Sequence, residues 1–399
     1  MCFLYFVPLQ VETVLNQGQL HRWRLVEDFR ERLERVFGPV QGGHPSWADP
    51  QRRLLYADYL SLFLFGLLNP VVRTMRGLCS ASHLQRVREE ICSRPVSLGS
   101  FSEAQHLLDS ALLERVFVQL ATELHGAQPV DGRLKGRAWM AHDGTLWRAL
   151  PRMAWALYGA GRGGNSHGVK LHLSLHLVDD KPVRGTVRRG KDCERAVWRE
   201  RWEAGDAYVG DRYFGEDYGL LTVLGQDGRV YVLRLRQGAV ITVEEELPVS
   251  QADRRAGVVR QAWVRLGSRS QSERVRVVWV EAEGHSLILV TNLGPEELPA
   301  ELVSLLYRRR WQVELFFRWI KCILGCRHWL AESPAGVTLQ VYLALIAALL
   351  LQLYTGKRPS KRMMELIQFY FLRVATLAEL TEGLEREWQR LERAKNRNN

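Results

Sequence analysis

The sequence predicts a mixed α/β protein: one sheet that begins as three antiparallel strands, with a helical region before it and helices after it. Three observations lead there. KLHLSLHLVDD (170–180) alternates apolar and polar residues with period two, and KPVRGTVRRG follows as its hairpin partner. RAWMAHD and DAYVGDRYF are short apolar runs that each lead into an acid, the pattern of buried strands ending at a site. KDCERAVWRERW and EDYGLLTVLG are spaced as helices, so 136–237 reads strand, strand, strand, helix, strand, helix, strand, with RVYVLRLR last.

The remaining elements follow in order. Residues 1–130 read as a helical N-terminal region. LLYADYLSLFLFGLLNP is an apolar helix stopped at Asn69-Pro70, a second helix spans 71–80, and helices at 83–92 and 102–125 flank the turn SRPVSLGSFS, with Ser102 as N-cap. Arg86, Arg88 and Arg94 beside that turn make DNA contact and a plain helical bundle equal expectations. Residues 238–293 hold four strand-like runs, AVITVEE, VVRQAWVRL, RVRVVWVEA and HSLILVTNL, and read as a β-rich insertion. Residues 294–355 complete the core, and 356–399 form a helical tail.

Composition narrows the partners. The chain has 399 residues and a formal net charge of +11, so a polyanion is expected. Most of its cations are Arg, which suits forked contacts to phosphate. The six Cys are scattered, which fits reduced thiols in the cytoplasm. Cys322, Cys326 and His328 lack the spacing and the second pair that zinc requires. MCFLYFVPLQV has no basic leader or small-residue cleavage site, so no signal peptide is expected. Residues 337–354 carry no charge and include Gln340 and Gln352. A buried core helix is expected there, with a membrane span as the alternative.

The stretch YRRRWQVELFFRWIK (307–321) concentrates cations around one carboxylate. On one continuous helix, Tyr307, Arg310, Glu314 and Lys321 share a face with Arg318 beside them, while Leu306, Val313, Phe317, Ile320 and Leu324 form the neighbouring core stripe. A solvated helix with an Arg–Glu pair accounts for the charges but not for the Trp and Tyr. The sharper reading is a metal-binding Glu314 among phosphate-binding cations. One Glu cannot hold a metal, and Asp143 in MAHDGTLWR and Asp211 in YVGDRYF are the acids placed to join it. By composition Asp179, Asp180, Asp206, Glu216 and Asp217 are rivals, and spacing alone does not choose.

Tyr307, Arg310, Glu314 and Lys321 match the pattern Y-(2)-R-(3)-E-(6)-K, and Trp311, DGT at Asp143, GVKLHLSLHL, DRYF at Asp211 and LILVTN fit around it. Over about 136–350 the chain resembles bacterial insertion-sequence transposases of the DDE type, the IS-four branch. The resemblance implies a ribonuclease-H-like core with a β-rich insertion. It implies that Asp143, Asp211 and Glu314 bind two Mg²⁺, with Mn²⁺ able to substitute. It implies that Tyr307, Arg310, Trp311, Arg318 and Lys321 hold DNA. Water would cut a phosphodiester at the element's end, and the freed 3′-OH would attack target double-stranded DNA, within a homodimer and without a membrane. A DNA-binding derivative that no longer cuts and a nuclease that only hydrolyses are the alternatives. In the family's insertion a Trp holds a flipped base. Here the equivalent EGHSLIL has none, which leaves Trp263 and Trp279 as candidates and hairpin formation open.

Overall fold

A computed structural model describes residues 24–37, 54–124, 131–161, 164–267, 273–282, 284–326 and 328–397. The MCFLYFVPLQV segment lies outside them. The chain divides into two units, residues 105–345 and residues 1–104 with 346–399.

The first unit is built on a ten-stranded sheet: β1 (Ala138–Arg148), β2 (Leu157–Gly161), β3 (Gly164–His176), β4 (Lys181–Arg189), β5 (Asp206–Gly210), β6 (Val230–Arg234), β7 (Ile241–Leu247), β8 (Val258–Leu266), β9 (Arg274–Ala282) and β10 (His285–Thr291). Its order is β2-β3-β1-β5-β6-β10-β9-β8-β7, and β4 also pairs with β3. β1 runs antiparallel to β3, which runs antiparallel to β4. β1, β5 and β6 are parallel neighbours. The expected three-stranded antiparallel start is therefore present, with β2 as an additional strand.

The β-rich stretch 238–293 continues this same sheet. β10 pairs antiparallel with β6, and β9, β8 and β7 follow outward. Its edge is laced with charge: Arg265, Arg274 and Arg260 pair with Glu244, Glu245 and Glu246 of β7, a charged edge that discourages pairing with a further strand.

Alternation in a strand ordinarily marks one wet face. In β3 both faces are buried. Leu171, Leu173 and Leu175 are fully enclosed on one side, and His172 and Ser174 are enclosed on the other. The polar side is roofed by the helix Glu194–Arg199 and the turn after β5: His142 stacks 5.9 Å from Trp198 and meets Phe214 edge-on at 6.0 Å. On the leucine side lies the helix Pro334–Thr355, whose Tyr342 donates to the Gly185 carbonyl at 2.9 Å. This helix has the length and composition of a membrane span, yet most of it is buried inside the protein.

Two local expectations are corrected. Ser102 does not cap a helix: it lies inside the helix Leu98–Leu107, and Asp109 caps the next one, Ser110–Glu123, by accepting from the Ala111 amide at 2.9 Å. Asp109, seven residues on, stands where the expected helix is interrupted, and its carboxylate accepts an amide at the start of the second helix. The stretch 300–322 is also not one helix. It is Ala300–Arg310 and Gln312–Cys322, joined at Trp311, whose amide donates to the Arg308 carbonyl at 3.4 Å in place of an i−4 partner.

The second unit holds the helices Arg24–Phe37, Tyr56–Leu68, Met75–Ala81, Gln85–Glu90, Lys361–Phe371 and Leu377–Arg397. Asp58, almost wholly buried, anchors part of it, accepting from Arg30 at 2.7 Å and from the Ser93 hydroxyl at 2.6 Å. Asn69 ends the apolar helix by accepting from the amides of Val71 and Val72 at 2.9 and 3.0 Å. Arg86 pairs with Glu90 at 2.8 Å, while Arg88 and Arg94 are exposed.

The roof over β3 has a pH consequence. Burial, with Lys170 and Arg188 adding to it, pulls the pKa of His172 down to about 3, and neither ring nitrogen has a partner. The unfolded chain takes up that proton near pH 6.5 while the folded chain refuses it, so stability present above pH 6.5 is lost as the pH falls toward 3. His172→Leu is expected to remove about 2 kcal/mol of the stability difference between pH 7 and pH 5, read from urea midpoints. An equal loss in both proteins would show that His172 titrates normally.

Candidate active site

Pairing in the sheet brings the two aspartates together. β1 and β5 pair in parallel up to Ala141 opposite Val209, and two residues further along each strand come Asp143 and Asp211. Asp211 is the N-cap of the short helix Arg212–Gly215. Its Oδ1 accepts from the Tyr213 amide at 2.9 Å, which fixes the orientation of the carboxylate. Asp143 accepts from the Gly144 amide at 2.7 Å.

Arg310 brings in the third acid. At 8% exposure, its guanidinium donates to Glu314 Oε1 at 2.7 Å and lies 3.6 Å from Asp143 Oδ2. Burial works against this cation, but Glu314, Tyr307 and Asp143 together hold its pKa above the ordinary value. The Tyr307 ring lies below it, 5.7 Å from the guanidinium carbon. The core stripe is as expected: Leu306, Val313, Phe317, Ile320 and Leu324 are all buried. Lys321 reaches β1 just past Asp143, donating to Thr145 Oγ1 at 2.6 Å and to the Leu146 carbonyl at 2.8 Å, with its ammonium 4.7 Å above the Trp147 ring. Trp311, 48% exposed, and Arg318, also exposed, face outward.

The rival acids are committed elsewhere. Asp206 forms a buried pair with Arg184. Asp179 binds His176 and Lys181. Asp180 occupies the hairpin turn at φ 51°. Glu216 pairs with Arg212, and Asp217 caps the helix Tyr218–Gln226. Cys322 is exposed and Cys326 buried, and no zinc set forms among the described residues. Trp263 and Trp279 each carry an Arg over the ring, Arg274 at 4.9 Å and Arg260 at 4.6 Å.

One charged pair beside the site is not legible as a motif. Lys170 of β3 and Glu194 meet at 2.5 Å over Gly144. A Cβ on Gly144 would stand 2.6 Å from Glu194 Oε1 and 2.7 Å from Lys170 Cε, so any side chain there would make the pair shift. KDCERAVWRERW offers acids and cations in plenty, and only the fold shows which of them reaches the site.

The electrostatics favour a cation. Burial pushes the Asp143 carboxyl up to about 7. Gly144 and Arg310 counter this, while Asp211 and Glu194 add to it. Two carboxylates side by side in such a place lack positive charge. Among the described residues no three acid, His or Cys side chains converge on one ion-sized position. One or two carboxylates with water and phosphate oxygens are, however, what Mg²⁺ takes, so these oxygens fit a hard divalent cation.

The Transposase DDE domain family matches residues 135–350, over half of the chain. A putative transposase y4zB of Sinorhizobium fredii (strain NBRC 101917 / NGR234) is 28% identical over 272 residues, 66% of this chain and 74% of that protein. A putative transposase for insertion sequence element IS4SA of Synechocystis sp. (strain ATCC 27184 / PCC 6803 / Kazusa) is 22% identical over 304 residues, 74% of this chain and 80% of that protein. A solved piggyBac transposase synaptic complex with hairpin DNA aligns with a TM-score of 0.43 at 10% identity, over 94% of this chain and 82% of that one, a likeness too small to carry an argument. The family match spans the whole sheet and contains Asp143, Asp211 and Glu314: the chain belongs to the DDE transposases of insertion sequences.

Proposed function

We propose that this enzyme cuts DNA at the ends of an insertion sequence and joins the freed ends to new DNA, using Asp143, Asp211 and Glu314. The observation that carries the reading is the parallel register of β1 and β5, which sets Asp143 beside Asp211, with Arg310 linking Asp143 to Glu314. The antiparallel β4-β3-β1 unit followed by parallel β5 and β6 supports a ribonuclease-H-like core, and 238–293 is its insertion.

DDE transposases generally use divalent metals, and two Mg²⁺ are the ions this site suits, with Mn²⁺ as substitute. Bound there, they would supply Lewis-acid stabilisation to the attacking and leaving oxygens of a phosphodiester. The chain's own residues do the rest. Asp143, Asp211 and Glu314 supply hard oxygen ligands. Before loading, Arg310 holds Asp143 and Glu314 together and offsets their repulsion. Lys321, on Thr145 and Leu146, stands ready for a phosphate oxygen. Trp311 and Arg318 offer a ring and a cation to the DNA backbone and bases. Two ends must be held at once, so a homodimer on DNA is the assembly. With residues 334–355 largely buried in the protein, we place the enzyme in the bacterial cytoplasm, on the nucleoid.

The test is a cleavage and joining assay on DNA carrying the element's native flanks, with and without Mg²⁺. Wild type is expected to cut at the inverted ends and join strands only with metal. Asp143→Asn, Asp211→Asn and Glu314→Gln are each expected to lose cutting by at least a hundredfold while binding DNA nearly as wild type. Nicks without joined products would make the enzyme a nuclease, and binding without cutting in wild type would make it a DNA-binding derivative.

Two cations of the signature stretch separate by burial. Arg318→Ala is expected to reduce the dependence of log K on log salt by about 0.9, the value of one phosphate contact. Arg310→Ala is expected to abolish cutting while changing that slope little, because its guanidinium is spent on Glu314 and Asp143. A reversed pattern in filter-binding titrations would exchange their roles.

A further inference from the structure

Two adjacent residues outside every motif reach the two aspartate-bearing segments from one short helix. Glu194 turns toward β1: it pairs with Lys170 at 2.5 Å, over the α-carbon of Gly144, the residue whose amide holds Asp143. Arg195 turns toward the loop after β5. Its Nε donates to the Tyr213 carbonyl at 3.0 Å, Nη2 makes a closer bond to the same oxygen, and the guanidinium lies 4.2 Å from the Tyr213 ring centre. It also stands 3.6 Å from Asp217, which caps the helix that follows. Tyr213 is the residue whose amide holds Asp211. Just before them, Cys193 lies 3.4 Å from the Tyr213 hydroxyl.

Backbone pairing between β1 and β5 stops at Ala141 and Val209, short of both aspartates. Beyond that point no ladder bond joins the two segments, and something else must set the distance between the carboxylates. We propose that Glu194 and Arg195 are positioning residues, a two-sided brace that fixes the spacing of Asp143 and Asp211 and thereby the affinity of the site for its divalent cation.

The contacts divide the labour. Glu194 with Lys170 presses on the Gly144 side, and Arg195 holds the Asp211 turn through a carbonyl, a ring face and a neighbouring carboxylate at once. Neither side chain needs to touch the ion. Groups that orient a metal's ligands without touching the ion typically change metal affinity 10- to 100-fold when removed. The inference rests on the reading of Asp143 and Asp211 as metal-holding residues, so the experiment includes them.

Mn²⁺ is titrated into the full-length chain bound to its DNA end, and free ion is followed by electron paramagnetic resonance. Arg195→Ala is expected to weaken Mn²⁺ binding roughly 10- to 100-fold, Glu194→Gln roughly tenfold, and Arg195→Lys by an intermediate amount, because Lys keeps the charge opposite Asp217 but loses the fork on Tyr213. DNA affinity is expected to stay within twofold of wild type in all three. Should Arg195→Ala fail to fold, Arg195→Lys and Glu194→Gln decide, with wild-type Mn²⁺ affinity in both overturning the brace. If Arg195→Ala binds Mn²⁺ like wild type while Asp211→Asn loses it, the brace is overturned and the site stands. If Asp143→Asn and Asp211→Asn both bind Mn²⁺ like wild type, the site is overturned and the brace with it.

Discussion

Two carboxylates are forced together by a backbone ladder that takes no account of their charge. β1 and β5 pair in parallel because Trp139–Ala141 and Asp206–Val209 form a buried run in the middle of the sheet. Asp143 and Asp211 follow as its extension. The burial of Asp143, with the charge of Asp211 adding to it, is a cost of the fold that pushes the Asp143 carboxyl up to about 7. Such a cost persists where it serves function. Arg310 offsets part of it from one side, and a divalent cation offsets the rest.

The surrounding elements can be understood from that constraint. Ala300–Arg310 ends with its guanidinium at Asp143, and Glu314, near the start of Gln312–Cys322, reaches the same cation four residues on. Lys321, two turns further, ties the second helix to β1 at Thr145. Trp198, on the helix that carries Glu194 and Arg195, packs against Tyr208 at 5.0 Å and Phe214 at 4.7 Å between ring centres, which seats that helix on β5 and the turn after it.

Much of this was legible in the residues. Alternation in 170–177 and the apolar runs before Asp143 and Asp211 mark strands because burial of one or both faces demands it. The stripe from Leu306 to Leu324 marks a core-facing helix for the same reason. Four spaced residues of the signature stretch marked the family. What stayed hidden depends on tertiary contacts. The buried polar face of β3 needs the Glu194–Arg199 helix above it, and KLHLSLHL carries no sign of that roof. The choice of Asp109 over Ser102 as a cap rests on competition between two plausible caps seven residues apart. The junction at Trp311 has no Gly or Pro to announce it. Glu194 and Arg195 belong to no pattern, because their meaning lies in Gly144 and Tyr213, distant in sequence. The β-rich stretch 238–293 was legible as strands, but its union with the sheet through β10 and β6 was not.

The most direct measurement is the anomalous diffraction of Mn²⁺ in crystals of the protein bound to its DNA end. An anomalous peak between the carboxylates of Asp143 and Asp211, with Glu314 turned toward metal and away from Arg310, is the predicted result. A well-ordered DNA complex in saturating Mn²⁺ with no peak at these carboxylates, and with the Arg310–Glu314 pair intact, would contradict it.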